Sequence, residues 1–320
     1  MDKFKQAKQR LQCARSILIV SHIRPDGDAV GSVLGLGLAL QDAGKYVQMV
    51  LDDGVPKTFR HLTGSRQIQK RPNGEFDVIV VVDSSGLDRI GYALDGYPVP
   101  DLNIDHHVTN LNFAEINLVD SQAAATTEML SKYLPQWGLS ITKPIAEALL
   151  TGLITDTIGF QTPNVHSQTL RTAASLMEKG ADISTLYRKV LVNRPFAAVN
   201  YWGFGLRKLQ IEDRVVWASL TLDDRNAAHY PGSGDADLVN ILASIDDADI
   251  ALIFIEQPEG QVKISWRAKP GFDVSKVASQ FGGGGHKPAA GVTIEGELDE
   301  IQTKVLEATH TLFNGRVTNS

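Results

Sequence analysis

Ser16–Asp28 reads Ser-Ile-Leu-Ile-Val-Ser-His-Ile-Arg-Pro-Asp-Gly-Asp. Its β-branched apolar run predicts a buried strand over Ser16–Ser21, running straight into a polar turn that carries His22, Asp26 and Asp28. A helix is expected from Asp28 to Ala43, closed by Gly44, and Tyr46–Leu51 reads as the next strand. The same unit then recurs. Phe76–Ser84 (FDVIVVVDS) is the clearest strand in the chain and Asp101–Ile104 a short one, while Ala123–Leu134, Lys143–Leu150 and His166–Lys179 have helical patterning. Short strands alternating with helices predict an α/β fold built on a parallel sheet.

From about Ala181 to Gln210 the pattern turns helical and irregular. Beyond it Val215–Leu222, Ile250–Ile255, Val262–Trp266 and Gly291–Glu295 read as strands, with helices at Leu238–Ile245, Val274–Phe281 and Leu298–Phe313. A length of 320 residues fits two domains of roughly 150 each. We therefore expect a catalytic domain over 1–190, a linker over 191–210 and a smaller α/β domain over 211–320.

Composition narrows the function. The chain is 43% hydrophobic and 21% charged, ordinary for a globular protein. Its longest apolar runs fall far short of the roughly 20 residues that span a bilayer, and Met1–Ala14 is charged, so a cytoplasmic chain with no membrane partner is expected. The single cysteine, Cys13, excludes an internal disulfide, a thiolate-rich zinc site and a C-x-x-C redox pair; a metal here would need His and carboxylate ligands. A net charge of −6 argues against duplex DNA as a partner, and no basic run interleaved with aromatics marks a groove for long single strands. P-loop, G-x-G-x-x-G and G-x-S-x-G signatures are absent, which sets aside kinase, dehydrogenase and serine-hydrolase readings.

The chemistry is positional. Acidic and histidine residues recur just after strands: His22, Asp26 and Asp28 after the first, Asp83 after Phe76–Val82, and Asp105, His106 and His107 after Leu102–Ile104. In a parallel sheet these strand ends open on one edge, where ligands of such folds bind. Asp156 ends another apolar stretch and is expected to join them. Taken singly, Asp28 would serve as a helix N-cap and Asp83 as the start of an Asx-turn. Together they crowd carboxylates at one edge, an arrangement that needs cations to be tolerable. The set His22, Asp26, Asp28, Asp83, His106 and Asp156 suits Mn²⁺, with Mg²⁺ as second choice, and is large enough for two ions sharing Asp83 as a bridge. A second signal is Phe281-Gly282-Gly283-Gly284-Gly285-His286-Lys287. Its consecutive glycines would let backbone N–H groups cradle an anion, with His286 and Lys287 adding charged donors and Arg267, from Ser265-Trp266-Arg267, a bidentate fork.

These stretches, with Gly152–Asp156, together resemble the DHH phosphoesterase family in its two-domain form, motif by motif and in order over nearly the whole chain, and within it the nanoRNase/pAp phosphatase group. The resemblance implies an active site in a cleft between the domains and two Mn²⁺ ions. One ion is held by His22, Asp26 and Asp83, the other by Asp28, Asp83, His106 and Asp156. It further implies that His107 faces the substrate phosphate, that Asp105 supports the histidines, and that Arg267, Gly282, Gly283, Gly284, Gly285 and His286 bind the nucleotide. The implied reaction is hydrolysis of two- to five-nucleotide RNA or of 3′-phosphoadenosine 5′-phosphate (pAp) by a metal-activated water. Linear pApA or cyclic dinucleotides are alternatives, as is a non-catalytic nucleotide-binding protein. Pyrophosphate is disfavoured, because pyrophosphatases of the family carry Ser-Arg-Lys where this chain has Ser265-Trp266-Arg267. A homodimer is suggested by the same resemblance.

Overall fold

The computed structural model describes residues 2–313; the ends of both expected domains, residue 1 and residues 314–320, lie outside them. The chain divides into two compact units, 1–193 and 194–320. Among the described residues no helix is long and apolar enough to cross a membrane.

The first unit runs α1 (Lys3–Cys13), β1 (Ser16–Val20), α2 (Gly27–Asp42), β2 (Tyr46–Val50), β3 (Val78–Val82), β4 (Leu102–Asp105), β5 (Ile116–Val119), α3 (Thr126–Trp137), α4 (Lys143–Asp156), α5 (Ser167–Glu178) and α6 (Ile183–Tyr187). The five strands form one parallel sheet in the order β2-β1-β3-β4-β5. β3 is buried along its whole length, as a run of valine and isoleucine covered on both faces must be. Helix α1 and strand β5 had no counterpart in the sequence reading. Strand β5 is four residues long, Ile-Asn-Leu-Val, and too short for its alternation to stand out.

Helix α2 is apolar almost all round and buried from Gly27 to Leu40. Gly27, Gly31 and Gly35 recur every fourth residue, and a Cβ on them would collide with Thr155, the Ala148 carbonyl and Leu149 of α4 respectively. This ridge of hydrogens lets α2 and α4 approach closely along their i±4 rows. The contact matters because it carries Asp28 toward Asp156.

The second unit runs α7 (Phe196–Leu206), β6 (Gln210–Glu212), β7 (Val215–Leu220), α8 (Leu222–Ala227), α9 (Leu238–Leu242), β8 (Ile250–Gln257), β9 (Gln261–Ala268), α10 (Ser275–Gln280), β10 (Gly284–His286), β11 (Ala289–Glu295) and α11 (Leu298–His310). Residues of the expected linker thus include a regular helix, α7. The sheet order is β10-β11-β9-β8-β7-β6, with β7 and β8 parallel and the other pairs antiparallel. Alternation sorts the side chains. Leu252, Phe254, Val262, Ile264 and Trp266 pack in one core with Val277 and Val305 of α10 and α11, whereas Val216, Ala218, Ile253 and Ile255 pack in another with Tyr201 and Leu238 of α7 and α9. No residue of β9, β10 or β11 belongs to that second core.

Candidate active site

Strand β1 ends at Val20 and the chain turns through Ser21 and His22 into α2. Asp26 is the N-cap of that helix: its Oδ1 accepts from the backbone N–H of Asp28 and Ala29, both at 3.0 Å. Asp28 therefore is not the cap, and its carboxylate is free for another use. Capping leaves Asp26 Oδ2 pointing at His22 Nε2, 3.7 Å away. The His22 Nδ1 donates to the Ile23 carbonyl at 2.8 Å, so Nε2 is the nitrogen turned toward the carboxylates. Such a carbonyl partner on the far nitrogen is how ligating histidines are oriented.

Asp83, one residue past β3, has φ 54°. A left-handed backbone at a non-glycine residue is uncommon and costs of order 1–3 kcal/mol. It persists here because the Asp83 N–H still bonds the Ile104 carbonyl at 2.9 Å while the side chain turns into the cluster. Asp83 Oδ2 lies 3.6 Å from His22 Nε2, and Oδ1 lies 3.8 Å from His106 Nε2. His106 in turn has Nε2 3.3 Å from Asp156 Oδ2, with its Nδ1 3.3 Å from the Ala123 carbonyl. Ligand atoms of His22, Asp26 and Asp83 lie within 4.8 Å of one another, and so do those of Asp28, His106 and Asp156; Asp83 also groups with His106 and His107. The structure thus brings together all six residues singled out as metal ligands. The apolar stretch that Asp156 ends is helix α4, whose last residue it is, so it reaches the cluster from a helix C-terminus.

Two threonines that the sequence reading missed organise the centre. The backbone N–H of Thr126 donates to Asp28 Oδ2 at 2.7 Å, and the N–H and hydroxyl of Thr127 donate to Oδ1 at 3.0 and 2.5 Å. Thr126 Oγ1 also donates to Asp83 Oδ1 at 3.0 Å. Helix α3 has no capping side chain of its own; the Asp28 carboxylate fills that role from a helix distant in sequence, where the helix N-terminus favours negative charge. A Cβ on Gly152 would strike Thr127 and Asp28, which explains the glycine in Gly152–Asp156. The hint in the sequence was Ala123-Ala124-Ala125-Thr126-Thr127, small residues ending in two hydroxyls at a helix start.

His107 is turned differently. Its Nδ1 is 2.7 Å from Asp105 Oδ1, while Asp105 Oδ2 accepts from Asn110 Nδ2 at 2.6 Å, and Asn110 also reaches Asn103 Oδ1 at 2.8 Å. Asp105 is fully buried. Burial alone would raise its carboxyl, but the bonds from His107 and Asn110 hold it low, and the Asp105 bond raises the His107 imidazole.

The electrostatics follow from burial and crowded like charge. Burial drives the Asp28 carboxyl well above its ordinary range, and the charges of Asp83 and Asp156 add to it. Burial, opposed by His106 and helped by Asp83, pushes Asp156 up to about 7. Burial would depress His22, yet Asp26 and Asp83 outweigh it and push the imidazole up to about 10. Crowding of this kind disfavours bare carboxylates, and the imidazole Nε2 atoms and carboxylate oxygens so gathered form a cation-ligand set. The donor chemistry, mixed His and Asp in two groups joined by Asp83, fits a pair of divalent ions.

In the second unit the glycine run is not a simple anion nest. The N–H of Gly282 donates to the Ser279 carbonyl at 3.2 Å and that of Gly283 to the Ala278 carbonyl at 2.9 Å, and Gly282 has φ 79°. This is a Schellman stop for α10, so the first two amides are committed to the helix. A Cβ on Gly283 would meet the Gly291 carbonyl and Val292. Gly284, Gly285 and His286 form β10, paired with Gly291, Ala290 and Ala289. Ala289 also faces Arg267, and Gly291 faces Ser265. Directly paired residues share a sheet face, which places His286, Ala289 and Arg267 in one row and Gly284, Gly291 and Ser265 in the next. The result is a shelf of small residues with a cation on β9 and an imidazole on the edge strand. Arg267 Nε donates to Asn240 Oδ1 and Nη1 to the Trp266 carbonyl, both at 2.9 Å.

Comparisons with known proteins point the same way. The N-terminal domain of the DHH family matches residues 16–153, and the DHHA1 domain matches residues 235–311. The bifunctional oligoribonuclease and PAP phosphatase NrnA of Thermus thermophilus is 33% identical over 298 residues, 91% of this chain and 88% of that protein. A crystal structure of an exopolyphosphatase-related protein from Bacteroides fragilis matches with a TM-score of 0.88 at 28% identity, over 97% of this chain and 96% of that one. RecJ of Thermus thermophilus, in complex with Mn²⁺, shares the fold at a TM-score of 0.51 and 14% identity, over 97% of this chain and 54% of that one.

Proposed function

Because this chain belongs to the DHH family, with a DHHA1 domain behind the N-terminal one, we propose that it is a metal-dependent phosphoesterase. Its substrates in this reading are short oligoribonucleotides, cut to mononucleotides, and pAp, cut to AMP. The carrying observation is the double cluster joined by Asp83, in a chain similar along most of its length to a protein named for both activities.

His22, Asp26 and Asp83 would hold one divalent ion, and Asp28, Asp83, His106 and Asp156 the other, Mn²⁺ in preference to Mg²⁺. Such ions supply Lewis acidity toward a phosphoryl oxygen and toward the attacking water. The residues of the chain do the remainder. Asp105, held by Asn110, fixes the His107 ring through Nδ1 and favours its protonated form. His107 Nε2–H is then a donor to a phosphate oxygen or to the leaving oxygen. Arg267 and His286, with Ala289 between them and with Gly284, Gly285 and the turn at Gly282 and Gly283 alongside, would bind the nucleotide; the small residues of that shelf leave room for a flat ring, and the cation suits a phosphate.

Initial rates with Mn²⁺ on pAp, pApA, pyrophosphate and RNA of two, five and twenty-four nucleotides test the assignment. Turnover of pAp and the shortest RNAs, falling steeply with length, is expected. Preference for pApA, pyrophosphate or the long strand would move the substrate assignment, and silence on all of them would leave a binding protein.

A further inference from the structure

Although the chain is acidic overall, residues 54–74 carry Lys57, Arg60, Arg66, Lys70 and Arg71 and no carboxylate. All five cations are exposed. They are not spread evenly. Lys57 and Arg60 converge with Arg24 on a groove of about 560 Å³, whose other walls are Pro25, Asp53, Gly54, Val55 and Pro56. Arg24 lies on the loop between His22 and Asp26, so one end of the groove is continuous in the chain with the metal-ligand loop. That loop is pinned in place: the Arg24 N–H, at φ 53°, donates to Asp53 Oδ2 at 2.5 Å, and the Ile23 N–H donates to the Arg89 carbonyl at 2.7 Å.

The cations in the groove are uncommitted. Among the described residues no carboxylate is within ion-pair distance of Arg24, Lys57 or Arg60, and the one side-chain bond among them is from Arg60 Nε to the Val55 carbonyl at 3.2 Å. The only carboxylate in the walls, Asp53, is partly occupied by the Arg24 backbone. Further along, Arg71 pairs with Asp52, which also accepts from the Tyr92 N–H at 3.2 Å, and the Arg71 guanidinium lies 5.6 Å from the centre of the Tyr92 ring. Tyr92 is 67% exposed. Unpaired cations in a concave, partly apolar channel, with an exposed aromatic ring on a residue whose N–H bonds Asp52, next in the chain to the groove's Asp53, are the elements of a single-strand track.

We propose that this groove is a distal subsite for the sugar-phosphate backbone of RNA, holding the phosphates beyond the one at the metal cluster. The inference rests on the phosphoesterase reading above and deepens it. Substrates with a single internucleotide phosphate, or none, do not reach the groove; those of four or five nucleotides do. Lys57 and Arg60 act there as positioning residues.

The test uses the full chain and the double variant Lys57→Ala/Arg60→Ala, with Arg66→Ala as a basic control outside the groove. The double variant is expected to lose about tenfold in kcat/KM on a tetranucleotide, through KM, and to keep its rate on pAp. Its affinity for the tetranucleotide should also depend less steeply on salt, by about 1.4 in the logarithmic slope for two lost phosphate contacts. Equal losses on both substrates, or no loss on either, would overturn the proposal. Binding of a fluorescent tetranucleotide in EDTA reads the groove without catalysis. Affinity unchanged by the double substitution sinks the subsite even if the enzyme is active. Affinity lost in the variant supports it even if the hydrolytic reading fails. Tripolyphosphate displacing the RNA at equal phosphate concentration would show a generic polyanion site and overturn the assignment to RNA.

Discussion

In the first unit the central carboxylates are enclosed: Asp28 and Asp83 are each 1% exposed and Asp105 is at 0%, every one held by at least one bond from a neighbour. In the second unit Gly284, Gly285 and His286 lie exposed on an edge strand, and Arg267 is half-buried beside them. The first region stores like charge in a rigid frame; the second offers a cation, an imidazole and bare backbone on an open sheet face. Buried, pre-positioned charge is what catalysis at phosphorus requires, while an exposed, small-residue surface suits recognition of a ligand that arrives with its own charge. Under the proposed function the contrast would divide chemistry from binding, and it can be attacked from several sides.

The largest effect is expected at Asp83. Replacing it by Asn keeps its shape and removes the charge that joins the two groups, and activity should fall about a thousandfold or more, with the far-UV spectrum unchanged and the melting point in the presence of a chelator nearly that of the parent. Retained turnover would end the bridging assignment.

Metal removal should separate the two units next. With divalent ion at one hundred times its dissociation constant, binding stabilises the folded site by about 3 kcal/mol, so a chelator should speed hydrogen exchange in β1, β3 and α2 while β8 and β9 keep their protection. Uniform loss of protection across both units would show that the ions are not confined to the first.

Asn110→Ala removes the donor to Asp105 Oδ2 without touching the ion ligands. A loss of about 10- to 100-fold in kcat, the range for partners behind a site's direct ligands, is expected with KM and metal content steady. A fall in metal content instead would move Asn110 into the ion-holding frame.

The smallest effect tests whether charge in the second unit is structural. Asp224 is buried and accepts from Lys208 Nζ and from the Thr221 N–H at 2.8 Å. Burial raises its carboxyl, but those donors outweigh burial and hold it below the ordinary value. A depressed carboxyl contributes stability above its unfolded value near pH 4, and that contribution is lost as pH falls through the folded value. Asp224→Asn should therefore cost about 1 kcal/mol at neutral pH, and the gap to the parent should close below about pH 4 in urea titrations. A constant gap would assign the loss to packing.

Most of the site was legible because it follows strands. A buried strand announces itself as an apolar run, the residue after it falls at the sheet's carboxyl edge, and His22, Asp26, Asp28, Asp83, Asp105, His106 and His107 could be placed there one by one. Asp156 was found for its position at the end of an apolar stretch, whose composition alone leaves strand and helix open; the stretch is helix α4. Thr126, Thr127 and Asn110 were not legible. Hydroxyl and amide side chains are common at turns and helix starts, and nothing local distinguishes those that bond a distant carboxylate. The glycine run was read as one nest, whereas its first half ends a helix and its second half is a strand. Glycine permits both, and pairing with β11 decides between them.

By itself, then, the sequence determined the principal strands and helices, the parallel sheet and the residue types at its edge, because those depend on period and composition within a dozen residues. Only the tertiary structure decided which oxygen of Asp26 is left for His22, that Asp28 caps a helix begun about a hundred residues later, and that cations scattered over residues 24–60 line one groove. Those outcomes depend on distances between segments remote in the chain, set by the glycine ridge between α2 and α4 and by the left-handed turn at Asp83, and no local pattern encodes them.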